Sequence, residues 1–358
     1  MLTAKKVLSS CSMVLFATGS NLFVSSLCGR YFRWLFRLFS FIVIAYCFKF
    51  TVTQCMANGL SLISIESFSF SCGFMLANII LILRTTRSEL LLRNLVSSIP
   101  PAKLSSLYKK IILLIILMNV FRVMELAIGD SLSSELGYKS KHSSQTVVDL
   151  VSDAAEFVVE PFMDWPLTTT SFYWIAANIL MLYKNQISTC LQQKLTMNRY
   201  DFLNVMRAVK DITTAHSEFE SLYSFLPFLW LLDGILSTPG NLNFLRHSYN
   251  TNNISHAFKT VRYATPAFVV ICWIFKSHES LCETIDQIEG MIAICDKMAF
   301  SEKSFVIREL DKLRRLKLTG MSFFNLDRSF IMSYTGTVFT FAALIASYAT
   351  TDQGVLAS

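Results

Sequence analysis

Two groups of charges stand in otherwise apolar stretches of this sequence, and both invite a chemical role. Glu66 lies within "LSLISIESFSFSCGFMLANIILIL", and Arg122 lies within "IILLIILMNVFRVMELAIG", with Glu125 close behind it. An ionised side chain isolated in lipid is costly, so one found there faces a partner, a cavity or a pathway. If both stretches cross a membrane, the two residues sit about 9–11 Å below its outer edge, at a helical rise of 1.5 Å per residue. Glu66 then pairs with Arg122, and Glu125 stands one turn above. Such a pair either locks two helices together or faces a ligand or a permeating ion. The second group is Asp327 and Arg328, an adjacent acid and base at the head of the last apolar stretch, "SFIMSYTGTVFTFAALIASY". There the pair would either mark an interface with water or act on a helix that moves or conducts.

Other chemistry finds no foothold. HExxH, GxSxG, a P-loop and a Gly-rich dinucleotide turn are all absent from the sequence, and with them the zinc, acyl-transfer and nucleotide sites they build. His142, His216, His247, His256 and His278 are scattered through predicted loops. The nine Cys residues include no CxxC pair and no His at zinc spacing, so they read as small apolar fillers. The expectation is a protein that is not an enzyme and takes no cofactor or metal.

The elements that position these residues are membrane helices. Apolar residues make up 53% of the chain and charged residues only 16%, against roughly 25% charged in a soluble domain. Spanning a bilayer takes about 20 mostly apolar residues. Seven stretches qualify: Trp34–Thr53, Leu60–Leu83, Ile111–Gly129, Pro161–Tyr183, Phe219–Ser237, Val261–Lys276 and Ser329–Ala349. Lys and Arg fall in alternate connections, led by the run from Lys297 to Lys317, and the positive-inside rule makes those connections cytosolic. The fold class is therefore all-α: a polytopic membrane protein of seven helices, N-terminus inside and C-terminus outside. Its net charge of +7 sets orientation and does not indicate nucleic acid. Residues 1–33 read as a cytosolic N-terminal segment. The sequon at Asn253 falls in an outside loop, where a glycan is accessible.

Two cytosolic connections read as helices. Residues 185–218 and 277–322 are long, polar and free of Pro; Ile285, Ile288 and Ile292, then Ile307, Leu310, Leu313 and Leu316, recur at helical spacing. Together they form a cytosolic helical anchor that prolongs the spans. Gly320 interrupts helicity before the last span. The C-terminal part thus reads as helix, hinge and membrane helix, the last over residues 323–350.

This layout resembles the arthropod gustatory and odorant receptor superfamily, and most of all a gustatory receptor. Those proteins carry a signature near the C-terminus, a Thr-Tyr pair, five apolar residues and a Gln-Phe pair. Here Thr340-Phe341 precedes Ala342–Ala346 and Ser347-Tyr348. The spacing is kept and Thr340 matches, while Phe341, Ser347 and Tyr348 depart from the pattern. The upstream "GMSFFNLDRSFIMSYTG" is similar to that family's approach to its final helix. The resemblance implies a ligand-gated, non-selective cation channel in the plasma membrane of sensory neurons. It implies a homo- or hetero-tetramer around a central pore, surrounded by membrane lipid and opened by a small molecule. Pore and gate positions would be Tyr334, Thr337, Val338, Phe341, Ile345 and Tyr348, unless that face turns to its own bundle. Gly320, Asp327 and Arg328 would form the hinge and inner mouth. A ligand pocket in the outer half would draw on Glu66, Phe70, Arg122, Glu125, Trp165, Phe172, Tyr173 and Tyr263. A G-protein-coupled receptor would need an outside N-terminus, against the charge pattern. A secondary transporter would favour internal repeats, of which the sequence has none.

Overall fold

The computed structural model describes residues 62–113, 165–196, 202–232, 254–294, 299–330 and 332–337, with a few single residues elsewhere. The side chains of residues 62–71, 165–168 and 254–269 lie outside that description, although their backbones are helical. The expected spans at 34–53 and 111–129 fall mostly outside the described residues, as do the first 33 positions and Asn253.

Helices dominate. In chain order they are α1 (Leu62–Ser97), α2 (residues 101–113), α3 (Trp165–Thr196), α4 (Phe202–Tyr223), α5 (residues 225–232), α6 (Ile254–Ala293) and α7 (Phe300–Arg315), with α8 beginning at residue 328. The 36, 32 and 40 residues of α1, α3 and α6 make unbroken rods, each longer than the roughly 30 Å hydrocarbon layer of a bilayer. Among the described residues, however, no helix is long and apolar enough to cross a membrane. Thr169, Thr170, Ser171 and Asn178 interrupt α3 and are buried within the bundle, and Lys276 and His278 end the apolar part of α6.

Two cores organise the described helices. One joins α1 to α6 and the segment ahead of α8 through residues such as Leu81, Leu92, Ile111, Ile175, Ile179, Leu226 and Ile274. The other is a four-helix cluster formed by the far end of α3 with α4, α6 and α7. In it, Leu281, Ile285, Ile288 and Ile292 of α6 face Val205, Val209 and Ile212 of α4 and Val306, Leu310 and Leu313 of α7. Steps of three and four place each set on one helical face. The apolar stripes read from the sequence are therefore packed faces, and Ile307 and Leu316 pack at the edge of this core.

Local chemistry sets the ends of α7. The Ala299 amide donates to Glu302 Oε2 at 3.3 Å, while Lys312, Arg314 and Arg315 lie in the last turn. Acid near the start and base near the end both favour the helix macrodipole. Arg314 then bonds Asp286 and Glu289 of α6, reaching Glu289 Oε2 at 2.6 Å. The break between α4 and α5 at Ser224 follows from Pro227, which lacks an amide hydrogen and clashes with the carbonyl four residues earlier.

One expectation needs correction. An all-α chain would run from α7 to α8 through a simple hinge, but an antiparallel hairpin lies between them, β1 (Thr319–Gly320) and β2 (Phe324–Asn325). Met321 and Ser322 both take positive φ, 51° and 63°. Left-handed values at the two central residues fit the twist of a tight hairpin.

Removing side-chain bulk from the four-helix core is expected to cost about 2–5 kcal/mol for Ile288→Ala. Lys312→Ala, which breaks an exposed pair with Glu309, should cost no more than about 0.5 kcal/mol. Thermal unfolding of the two purified variants checks this difference.

Candidate functional site

Everything that enters α8 passes through residues 316–327, and the described structure gathers its unusual polar chemistry around this segment. Asp327 accepts a hydrogen bond from the Phe330 amide at 3.1 Å, the contact that caps a helix N-terminus. Its other carboxylate oxygen meets Lys317 Nζ at 2.8 Å. The partner of Asp327 is thus Lys317 across the hairpin, whereas the sequence suggests its neighbour Arg328. Burial alone would raise the Asp327 pKa, but the Lys317 ammonium and the Phe330 and Ser329 amides outweigh it and hold it below its ordinary 3.8.

Gly320 has a steric role. A Cβ there would lie 2.1 Å from the tip of the Phe324 ring. That ring stacks on Phe330 at 4.5 Å, and Phe330 stacks on Tyr334 at 6.1 Å. The glycine therefore lets an aromatic column run from the hairpin onto the first turns of α8.

The hairpin is docked on α4. Glu220 accepts from the Thr319 amide, at 3.1 and 3.2 Å to its two oxygens, and from the Thr319 hydroxyl. The Met321 amide donates to the Ser224 carbonyl at 3.0 Å, a group that the break at Pro227 leaves outside a continuous helix. Arg84, at the far end of the apolar part of α1, donates to the Ser221 and Leu222 carbonyls at 2.6 and 3.0 Å and lies over the Phe225 ring. A cation there satisfies carbonyls that the end of α4 leaves unpaired.

Behind Glu220 lies a lysine without solvent. Lys184 of α3 is fully buried, and its Nζ is 3.0 Å from His216 Nδ1 of α4. Among the described residues no carboxylate forms an ion pair with it. The Lys317 backbone faces the His216 ring and acts to raise its pKa, so one imidazole lies between Lys184 and the segment ahead of β1. Burial lowers the Lys184 pKa to about 7, with Glu220 and Cys282 opposing that shift. Burial, and then the neighbouring lysine, push His216 well below its ordinary value, and His278 of α6 is pushed down by the same causes. Both imidazoles are therefore neutral at pH 7. In the sequence, Lys184 reads as one more orientation charge and His216 as a loop residue. The available signal was that His216 continues the stripe Val205, Val209, Ile212 one turn further.

The remaining candidates are placed as follows. Phe172 and Tyr173 are wholly buried in an aromatic cluster in which Phe172 meets Tyr223 at 5.4 Å and Tyr173 meets Phe219 and Trp230 at 5.7 and 5.3 Å. Trp230 donates to Thr169 Oγ1 at 3.0 Å. Glu66, Phe70, Trp165 and Tyr263 lie on α1, α3 and α6, but their side chains are outside the described residues, as are Arg122 and Glu125 entirely. On α8, Tyr334 is half-buried and Thr337 exposed, while Val338, Phe341, Ile345 and Tyr348 lie outside the described residues. The described residues hold no cluster of His, Cys, Asp and Glu fit for a metal, and Cys72, Cys190, Cys272 and Cys282 are free thiols.

No family model matches the chain, and no curated protein matches its sequence. Solved structures do resemble it. The insect olfactory receptor OR5 from Machilis hrabei superposes with a TM-score of 0.70 at 13% identity, covering 95% of this chain and 97% of that one. The same receptor in complex with eugenol gives a TM-score of 0.70 at 13% identity, over 97% of this chain and 99% of that one. At that identity the likeness is one of fold, and it runs through nearly the whole chain.

Gly320→Ala should drive the Phe324 ring off Phe330 and lower stability by about 1–3 kcal/mol, the usual range for overpacking. Gly336→Ala, which meets nothing within 4 Å, should be neutral or gain up to about 1 kcal/mol of helix propensity. Thermal melts of the two variants in parallel test whether close approach is what requires glycine at position 320.

Proposed function

We propose that this chain is a chemosensory receptor that works as a ligand-gated, non-selective cation channel. The observation that carries the reading is the full-length fold likeness to an olfactory receptor whose structure has also been solved with a small molecule bound. The residues add to it. An α8 docked through a hairpin, and not fused to α7, is an arrangement suited to a helix that must move relative to a fixed bundle. The cluster of α3, α4, α6 and α7 is the cytosolic anchor of this reading, and the channel is a tetramer whose pore is lined by the last helix. The protein belongs, in this reading, in the plasma membrane of sensory neurons, and its gustatory-like character rests on the C-terminal pattern at Thr340–Tyr348.

Within the reading, the described part of α8 distinguishes two faces. Tyr334 leans on Phe330 and so on the hinge. Ser333, Thr337 and Thr340 are exposed in the single chain, with Gly336 beside them. The Thr337 and Thr340 hydroxyls bond back to the Ser333 and Gly336 carbonyls at 2.9 Å, which satisfies them without a partner helix. Thr337 is therefore assigned to the pore face and Tyr334 to gate support. The ligand pocket is placed in the outer half around Glu66, Arg122, Glu125 and the α3 aromatics. Phe172 and Tyr173 would serve as its packed floor.

Whole-cell recording from cells expressing the full chain, with eugenol as the first probe of a small-molecule panel, tests the function. A cation current that needs neither nucleotide nor G protein is expected. Saturable uptake of a compound without current would favour a transporter and contradict the channel. A Thr337→Cys variant should lose most of that current to a charged thiol reagent, while Tyr334→Cys should respond at least about tenfold more slowly, because a half-buried thiol is less accessible.

A further inference from the structure

A fully buried lysine that makes no direct ion pair among the described residues is rare because removing an ammonium from water is costly. In this chain the lysine lies at the contact between the helix bundle and the strand that leads into α8. We propose that Lys184 and its partners form a proton-sensitive latch: the packed junction holds the hairpin while Lys184 is neutral, and protonation favours a looser junction in which its ammonium reaches water.

The surrounding groups make the assignment specific. From α4, His216 and Glu220 face Lys184, and from α6, His278 and Cys282 do so. From the hinge, Lys317 and Asp327 approach, with their charges paired at 2.8 Å. On the neighbouring elements, Arg84 is engaged by the end of α4 and Lys103 by Gln186 Oε1 at 3.0 Å, and Arg314 is held by Asp286 and Glu289. His216 is neutral across the neutral range, burial and then Lys184 lower His278 from its ordinary 6.5, and Asp327 is held below its ordinary 3.8. Burial raises the Cys282 thiol above its ordinary 9.0. Lys184, at about 7, titrates near neutrality.

The connection to the hinge is structural. His216 Nδ1 is 3.0 Å from Lys184 Nζ and its ring faces the Lys317 backbone, and Glu220, one turn along α4, holds Thr319. Hydrating Lys184 means separating α3 from α4 beside the point where α4 grips the hairpin. The sign follows from linkage. The packed state binds the lysine proton more weakly than a hydrated state, whose lysine keeps a pKa of about 10.4. Opening therefore grows by up to about tenfold per pH unit as pH falls from about 9 toward 7, and levels off below about 7, as one proton requires. Stability of the packed hinge is highest on the alkaline side and is lost on acidification.

The proposal adds regulation to the channel reading, yet its test needs neither conduction nor a ligand. Hydrogen exchange of the purified full chain, corrected for the intrinsic pH dependence of amides, would follow residues 317–330 from pH 6 to 9. The wild type should show the one-proton slope in this segment, with α7 flat as an internal reference. Lys184→Met should be flat at the protected level, and Lys184→Arg, charged throughout, flat at the exposed level; either variant suffices if the other fails to fold. Glu220→Gln removes a charge that favours the ammonium, so it should keep the slope but level off at lower pH. A flat wild type, a slope shared by α7, or an unchanged slope in the lysine variants would overturn the proposal.

Discussion

The hold of Glu220 on Thr319 is the contact on which the rest of this structure depends. Two backbone-directed bonds and one hydroxyl bond fasten the first strand of the hairpin to α4. With that strand in place, the Met321 amide meets the Ser224 carbonyl, and Gly320 presents its bare face to Phe324. The stacked column of Phe324, Phe330 and Tyr334 then starts α8 in a fixed direction. A charge-assisted bond to a carboxylate is roughly twice as strong as one between neutral groups, so a single side chain controls the attitude of an entire helix. Two positive-φ residues in the turn add strain of about 1–3 kcal/mol each, which the docking contacts offset.

Around this contact the helices divide the work. The long rods α3 and α6 run from one core to the other, so a displacement in the upper bundle reaches the four-helix cluster without passing through a loop. The cluster itself is tied by Arg314 and by interlocking apolar faces, which makes it the fixed part. The hairpin sits at the margin of the first core, with Leu318 and Leu326 inserted into it and Phe324 packed against it. A short, polar-held element between two well-packed bodies is where a small change in charge has the largest mechanical consequence.

Much of this was legible in the sequence, and the particular residues show why the rest was not. The stripes of α6 and α7 were readable because burial of a helix face imposes a period on apolar residues, and that period survives in a single chain. Gly320 was readable as a break, since glycine in a helical pattern marks one. The two-residue strands were not, because strands that short impose no alternation. Asp327 looked paired with Arg328 since adjacency is all that a sequence displays; its true partner is Lys317, ten residues back and brought close by the turn. Arg84, Lys184 and Glu220 were hidden for a related reason. Their roles depend on groups 32 to 138 positions away, and charge counting assigns every loop cation the same meaning. The pocket candidates Phe172 and Tyr173 were identified as important aromatics, and they are packed against each other's neighbours in the core.

The central claim is directional: the four-helix cluster and the hinge lie in the cytosol, and the last helix runs outward from them. Terminal tags stained on intact and on permeabilised cells address it most directly. The account predicts a C-terminal tag visible on intact cells and an N-terminal tag visible only after permeabilisation. The reverse pattern would place the buried junction on the outer side, contradict the channel reading, and return a G-protein-coupled receptor to consideration.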